Sequence, residues 1–546
     1  MMIKINSKFI LINSEVFPLL KNAELLIDEN TGKIKSVSEA ACNKKNTVNS
    51  EKDKNYSTLI IPGLLNAHIH TELTIEANGS TPHIFSEWVI SLIKMRMNLS
   101  AQETAAIRKK AYEISIKSGV TAIGDIVPLE QFEEYIANCA INYKAENYTA
   151  GKDFKLQNLN SKDEAGKYGI AHSNSNNNNN GYDNRYVQYG KYDKYDNYDN
   201  YDIDINNDIT VKRFNIEHPR IKSYIEIIGL APSLADIKIK ELEKTLNYYY
   251  KYCNNNEKSK QRGFYMSDVY DKNDDFQRSE YTAEDTFLPG LSPHSVYSVS
   301  KELFKKLSEK NKEWKLDMAI HTSEHKSEIS FLKEGRGDIA ENLLNALQLG
   351  AFSNPSKMYG TANYSTPADY LNSIEMLSSK TALIHANEIN EHDIQIIKDS
   401  GASIVHCPRS NDFFNSSRLP LRKLLDNNIN VGLGTDSLYS NSSISILDEL
   451  KYARKIHNEE NNHCVSSKEL FKMATVNNAA ILNIPHLTGT LETGSYADFI
   501  IFRIPKDLKL TEDNVFDKII DFEEKDILKV FIGGKEVYRN VRAYSV

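Results

Sequence analysis

Short runs of apolar and β-branched residues recur along the chain, separated in several places by stretches whose apolar positions return every three to four residues. The runs are LIIPGLLNAHIH (59–70), GVTAIGDI (119–126), YIEIIGL (224–230), FLPGLSPHS (287–295), KLDMAIHTSE (315–324), TALIHANE (381–388), ASIVHCPRS (402–410) and NVGLGTDS (430–437). Between them, AQETAAIRKKAYEISIKSG and SISILDELKYARKI carry the periodicity of amphipathic helices. Strand runs alternating with helical patterns predict βα units, and eight of them predict an α/β fold, a (β/α)8 TIM-like barrel.

The two ends have another texture. Residues 1–58 alternate in a β manner, and so does the tail from LTGTLETGSYADFIIFRIP to KDILKVFIGGKEVYRN. The expectation is one small composite β-sandwich built from both termini, 1–58 and 487–546, flanking a barrel over 59–486. From Asn174 to Asp208 the pattern fails altogether. Tyr192, Tyr195, Tyr198 and Tyr201 recur every third residue among Asn and Asp, a period that fits neither helix nor strand. This reads as a disordered low-complexity insertion with edges at about 142–219, and a second polar loop follows at about 254–285. An aromatic-rich tract of this kind also suits assembly, so an inactive barrel used as a scaffold is the non-enzymatic alternative.

Composition adjusts this picture. The 546 residues exceed one ordinary domain, and the hydrophobic fraction of 40% is a little low. Both follow from an insertion between the second and third barrel strands. A net charge of −8 gives no basic footprint for a nucleic acid polymer. No run of about 18 apolar residues occurs, so no membrane span is expected, and the N-terminus lacks the h-region of a signal peptide. Five scattered cysteines (Cys42, Cys139, Cys253, Cys407, Cys464) with no C-x-x-C pair fit reduced thiols and a cytoplasmic location. Nothing in the sequence fixes the oligomeric state, and a homo-oligomer stays open.

The chemistry gathers at strand ends. His68 and His70 are two apart on a strand and so point to one side, into the mouth where barrel enzymes keep their sites. The fourth run ends in His294, the fifth in His321 and Glu324, the sixth in His385, the seventh in His406 and the eighth in Asp436. Imidazoles with a carboxylate suit Zn or Fe(II), and a divalent ion lowers the pKa of a bound water from about 16 to about 7. Glu324 stands where a carboxylate could move that water's proton, so the reaction class is metal-assisted hydrolysis. HTSEH (321–325) also matches the inverted zinc-protease pattern H-x-x-E-H, which needs both histidines on one helix. KLDMAI before it reads as a buried strand, so His321 is expected on a strand and His325 in the first turn of a helix.

PGLLNAHIH, SPHSVYS, HTSEH, LIHANE, VHCPRSN, GLGTDS, ATVNNAAIL and LTGTLETGSYADFIIF occur in the order of the recurrent blocks of the amidohydrolase superfamily. The chain resembles its cytosine deaminase, guanine deaminase and chlorohydrolase-like branch over nearly its whole length apart from the polar insertions. The resemblance implies ligation of one divalent ion by His68, His70, His321 and Asp436. It implies that Glu324 shuttles protons, that His385 hydrogen-bonds the attacking water or tetrahedral intermediate, and that Asp436 also helps deprotonate the water. The fourth strand run has no lysine to bridge a second metal. By the same resemblance His294 contacts substrate, with a helix-capping histidine as the alternative, and Arg409, Ser410 and Asn411 line the mouth. Cys407 is expected to be a buried small residue.

NAHIHTEL, FSEWVISLIKMR and GTDSLYSNSSISILDEL look most like aminodeoxyfutalosine deaminases of the futalosine route to menaquinone. Deaminases of S-adenosylhomocysteine and methylthioadenosine share the metal blocks, but their ribose-gripping glutamate falls here near Arg96 and Met97. The resemblance thus implies deamination of the adenine ring of a modified nucleoside. Another C–N or C–halogen hydrolase of the guanine deaminase or chlorohydrolase kind, acting on a heterocycle, remains the enzymatic alternative.

Overall fold

The computed structural model describes residues 2–12, 18–39, 56–75, 82–135, 218–253, 287–347, 364–459, 465–485 and 487–540. The low-complexity insertion, apart from residues 218 and 219, and the second polar loop lie outside the described residues. The N-terminal strands are β1 (Met2–Leu11), β2 (Leu19–Asp28), β3 (Ile34–Glu39) and β4 (Tyr56–Pro62). The next eight are β5 (Leu64–Ile69), β6 (Val120–Pro128), β7 (Arg220–Ile227), β8 (Phe287–Pro293), β9 (Asp317–Thr322), β10 (Thr381–His385), β11 (Ser403–His406) and β12 (Val431–Leu433). The tail supplies β13 (Phe499–Pro505), β14 (Ile527–Ile532) and β15 (Lys535–Arg539).

β5 to β12 form one parallel eight-stranded sheet in chain order, the predicted (β/α)8 barrel. Every residue of β5, β6, β7, β9 and β10 is buried. That is why these segments read as near-continuous apolar runs: helices cover one side and the barrel interior fills the other. The sheet closes between β12 and β5, where Ile69 bridges Asp436 and the N–H groups of Thr435 and Asp436 both donate to the His68 carbonyl at 3.1 Å.

The long first run, which reads as a single strand, is two. Gly63 separates β4, in the terminal sheet, from β5, in the barrel. A Cβ on Gly63 would lie 2.1 Å from the Thr121 hydroxyl, so only glycine lets the chain pass between the two sheets there. The strands from both termini do come together, as a seven-stranded sheet in the order β15-β14-β13-β4-β1-β2-β3. Its link to the barrel is buried: Arg220, the first residue of β7, donates to both Asp498 carboxylate oxygens at 2.7 and 3.1 Å.

Among the described residues no helix is long and apolar enough to cross a membrane. The two helices after β5 are α1 (Phe85–Asn98) and α2 (Ala101–Lys117), the second started by a Ser100/Glu103 capping box.

Candidate metal centre

β5 ends in Ala67-His68-Ile69, His70 follows in extended backbone, and the alternation of the chain sends both imidazoles into the barrel mouth. They meet His321 from β9, His385 from the end of β10 and Asp436 from the turn after β12. One ligand atom from each of His68, His321 and His385 lies within 4.8 Å of the others, and the same holds for His68, His70 and Asp436 and for Glu324, His385 and Asp436. His70 Nε2 stands 3.3 Å from His321 Nε2, and Asp436 Oδ1 is 3.7 Å from His68 Nε2 and 3.8 Å from His70 Nε2. Backbone strain concentrates here. Ser323, His385, Ala386 and Asp436 all hold positive φ without being glycine (51°, 73°, 51° and 57°), which turns strand ends sharply inward.

These residues fit a divalent cation. His68 is wholly buried, yet neither of its ring nitrogens has a hydrogen-bond partner, and His321 Nδ1 also lacks one. Buried polar atoms left bare are costly, and a cation accepting their lone pairs satisfies them. Ligation also needs neutral imidazoles and an ionised carboxylate. Burial pushes His68 down to about 4 and His321 well below the usual histidine value. Burial opposes ionisation of Asp436, but the neighbouring rings of His68, His70 and His385 hold it below the usual carboxylate range. His70 differs: burial lowers it, while Glu72 above all, with Asp436 and Glu226, raises it above its ordinary value.

Glu324 follows β9, is buried, and faces His385, with Oε1 3.5 Å from His385 Nε2. Burial and the neighbouring Asp436 push it up to about 8, against a smaller opposing effect of His70. A carboxyl that holds or releases its proton near neutrality suits proton transfer. Its backbone is fixed by Glu328, whose carboxylate accepts from the N–H groups of Glu324 at 2.6 Å and Ser323 at 3.1 Å.

The H-x-x-E-H helix does not form: His321 is on β9, as expected. His325 is the N-cap of the helix Lys326–Glu334 rather than a first-turn residue, its Nδ1 accepting from the Ser327 N–H at 3.3 Å. The reason is the capping box with Glu328, which fixes His325 in extended backbone just outside the helix.

The residues expected to bind substrate fall into different places. His294 follows β8 with its ring 4.9 Å from that of His321, and its Nδ1 is 2.7 Å from the Ser298 hydroxyl. It does not cap the next helix, whose N-cap is Ser300. Ser410 donates to Asp436 Oδ2 at 2.7 Å, beside Ser440 at 2.6 Å, and so holds that carboxylate in place. Asn411 Oδ1 is 2.9 Å from His385 Nδ1. Arg409 is engaged with the Ser442 hydroxyl and, at 3.7 Å, with Asp448. Cys407 is buried, and burial pushes its thiol well up, so it is no nucleophile.

Some supporting residues carry no sequence signal of their own. Arg96 on α1 is not in solvent but donates to Glu72 at 2.7 Å and Glu226 at 3.2 Å, with His70 Nδ1 3.5 Å away. Arg108 on α2 adds the Thr71 hydroxyl at 2.8 Å and the carboxylates of Glu72 and Asp125, each at 3.4 Å. Burial opposes ionisation of Glu72, yet Arg108, His70 and Arg96 hold it well below the usual range. Met97, by contrast, is 76% exposed.

The structure is a parallel eight-stranded barrel with a buried His/Asp cluster at the C-terminal ends of its strands, the end where barrel enzymes keep their sites. Residues 270–537 match the model of the amidohydrolase family. It is 30% identical over 253 residues to the 5-methylthioadenosine/S-adenosylhomocysteine deaminase of Pyrococcus abyssi, covering 45% of this chain and 52% of that protein. It is 30% identical over 259 residues to the 5'-deoxyadenosine deaminase of Methanococcus vannielii, covering 47% and 54%. The chain thus spans about half the length of the curated relatives it matches. The fold is that of Helicobacter pylori aminofutalosine deaminase bound to methylthio-coformycin (TM-score 0.64, 17% identity, 98% of this chain and 100% of that one). Guanine deaminase from C. acetobutylicum is similar in the same way (TM-score 0.62, 16% identity, 98% and 100%).

Proposed function

We propose that the protein hydrolytically deaminates the adenine ring of a modified nucleoside. One observation carries this reading: the bare, buried Nε2 of His68 faces Asp436, and Asp436 in turn gathers with His385 and Glu324, a buried carboxyl shifted to about 8. His68, His70, His321 and Asp436 would hold one divalent ion, Zn or Fe(II), which when bound supplies a water acidified toward neutrality. Glu324 passes one proton of the attacking water to the ring nitrogen, and then the remaining proton of the added hydroxyl to the departing amine. The C6–N bond breaks, a carbonyl replaces it, and ammonia leaves. His385, whose Nε2 is 3.5 Å from Glu324, accepts a hydrogen bond from the attacking oxygen. Burial of the whole cluster excludes bulk water and strengthens these interactions.

Within that class, aminodeoxyfutalosine, on the futalosine route to menaquinone, is the substrate this reading favours. Methylthioadenosine and S-adenosylhomocysteine form the second reading, supported by the names of the relatives. Against it, their ribose-gripping glutamate falls here near Arg96 and Met97, and Arg96 is held by two carboxylates of this chain. Ammonia release by the zinc-loaded protein from aminodeoxyfutalosine, methylthioadenosine, S-adenosylhomocysteine, 5'-deoxyadenosine, adenosine and guanine tests both. The expected outcome is release from an adenine nucleoside and none from guanine. Metal-loaded protein that deaminates none of the adenine nucleosides overturns the reading.

A further inference from the structure

The two asparagines beside Glu324 and His385 make hydrogen bonds whose directions can be worked out one from the next. Asn387, one residue beyond the strained Ala386, places its Nδ2 3.1 Å from the Glu324 main-chain carbonyl. A carbonyl only accepts, so the Asn387 amide can face it only with its NH2. Its Oδ1 then faces Asn411, whose Nδ2 donates to it at 2.8 Å. The second N–H of that group has an acceptor too, His406 Nδ1 at 3.3 Å. With both amide hydrogens used on that side, Asn411 must present Oδ1 to His385 Nδ1, 2.9 Å away. An amide oxygen accepts, so Nδ1 carries the hydrogen and the lone pair of the neutral ring sits on Nε2. Nε2 stands 3.5 Å from Glu324 Oε1, which closes the circuit on the residue where it began. All four side chains are buried: Glu324 is 6%, His385 1%, Asn387 2% and Asn411 5% exposed. Water therefore does not compete for these donors and acceptors.

We propose that Asn387 and Asn411 are positioning residues that lock His385 in the Nδ1–H tautomer, keeping Nε2 an acceptor toward the reacting centre and tying that choice to the main chain of Glu324. Neither asparagine touches substrate in this assignment. Their effect runs through His385, and its kinetic part rests on the deaminase reading, whereas the tautomer does not. In the opposite tautomer Nε2–H would meet any donor at the centre with a hydrogen of its own, and Glu324 carrying a proton would lose its acceptor. The outer end of the same chain is consistent with this direction. His406, having accepted at Nδ1, has Nε2–H to donate to His457 Nε2 at 3.1 Å.

The test is the 15N spectrum of histidine-labelled, zinc-loaded protein, with the His385 ring signals assigned by their loss in His385→Gln. The expected result is a protonated Nδ1 and a bare Nε2 in the wild type. In Asn411→Leu the proton should move largely to Nε2, and kcat should fall by about 100-fold or more with KM changed less than about 3-fold. Asn411→Asp, which keeps an oxygen against Nδ1, should keep the wild-type tautomer and recover most of the kcat lost in Asn411→Leu. A wild-type His385 protonated at Nε2, or Asn411→Leu protein with Nδ1 still protonated, overturns the proposal. If Asn411→Leu does not fold, Asn387→Leu is scored by the same spectrum, and the wild-type spectrum stands without any variant. Should no adenine nucleoside be turned over, the spectra still decide the tautomer, so failure of the deaminase reading is seen separately.

Discussion

Glu324 and His457 are both buried ionisable side chains, but they stand to the chemistry in different ways. Glu324 gathers with His385 and Asp436 in the centre, and burial with the charge of Asp436 pushes it up to about 8. Glu324→Gln keeps the volume and removes the proton transfer. It should lower kcat by about 100- to 10,000-fold while zinc stoichiometry, measured by plasma emission on the purified protein, stays near the wild-type value. His457 lies outside the centre, where burial and the charge of Arg418 push it down to about 4 from the ordinary 6.5. The unfolded chain binds this proton below about 6.5 and the folded chain only below about 4. Its contribution to stability is therefore present above about 6.5 and is lost as pH falls from about 6.5 to about 4. His457→Gln should flatten the fall in melting temperature between pH 7 and pH 5 relative to wild type, by a free energy on the order of 1–3 kcal/mol. An identical pH slope in both proteins would refute this. Residues like these differ in how readable they are. Histidines at strand ends announce themselves because several independent runs finish alike. Asn387 and Glu72 do not, because a side-chain amide or carboxylate acts through partners that are remote in sequence.

At the scale of elements, the barrel was legible because a strand covered on both sides must be apolar almost throughout, and such runs stand out against amphipathic helices. The division of the first run at Gly63 was not legible, since β4 and β5 are equally apolar and only their partners differ. The seam between β12 and β5 was hidden for the same reason, although it makes the site. Gly434 passes so close to β5 that an added Cβ would lie 2.9 Å from His68 Cβ and 3.0 Å from the His68 carbonyl. That contact is backbone and strand rather than a flexible tip, so the neighbour has little room to move. Gly434→Ala should push the seam apart, destabilise the fold by about 1–3 kcal/mol and displace His68 from Asp436. Zinc affinity measured by competition with a chelator should fall by at least about tenfold. Unchanged affinity would mean that the seam does not set the spacing of the ligands.

For the whole molecule the question is what the excess length does. The segment after Tyr135 rejoins the described chain at His218, just before β7 begins, and the segment after Cys253 rejoins it at Phe287, the first residue of β8. Both return points are at the N-terminal ends of barrel strands. The His/Asp centre is at the C-terminal ends, where barrel enzymes keep their chemistry and where loop changes alter it. The charged tie of Arg220 to Asp498 is at that same N-terminal end, next to the first return point. The two return points thus lie at the end of the strands away from the centre. Deleting residues 174–208, which removes the Tyr/Asn/Asp repeat while leaving the flanking sequence to bridge the gap, should therefore leave kcat/KM for the accepted nucleoside within about 3-fold and zinc stoichiometry unchanged. A loss of more than about tenfold, with zinc retained, would show that the tract reaches the mouth and takes part in substrate binding.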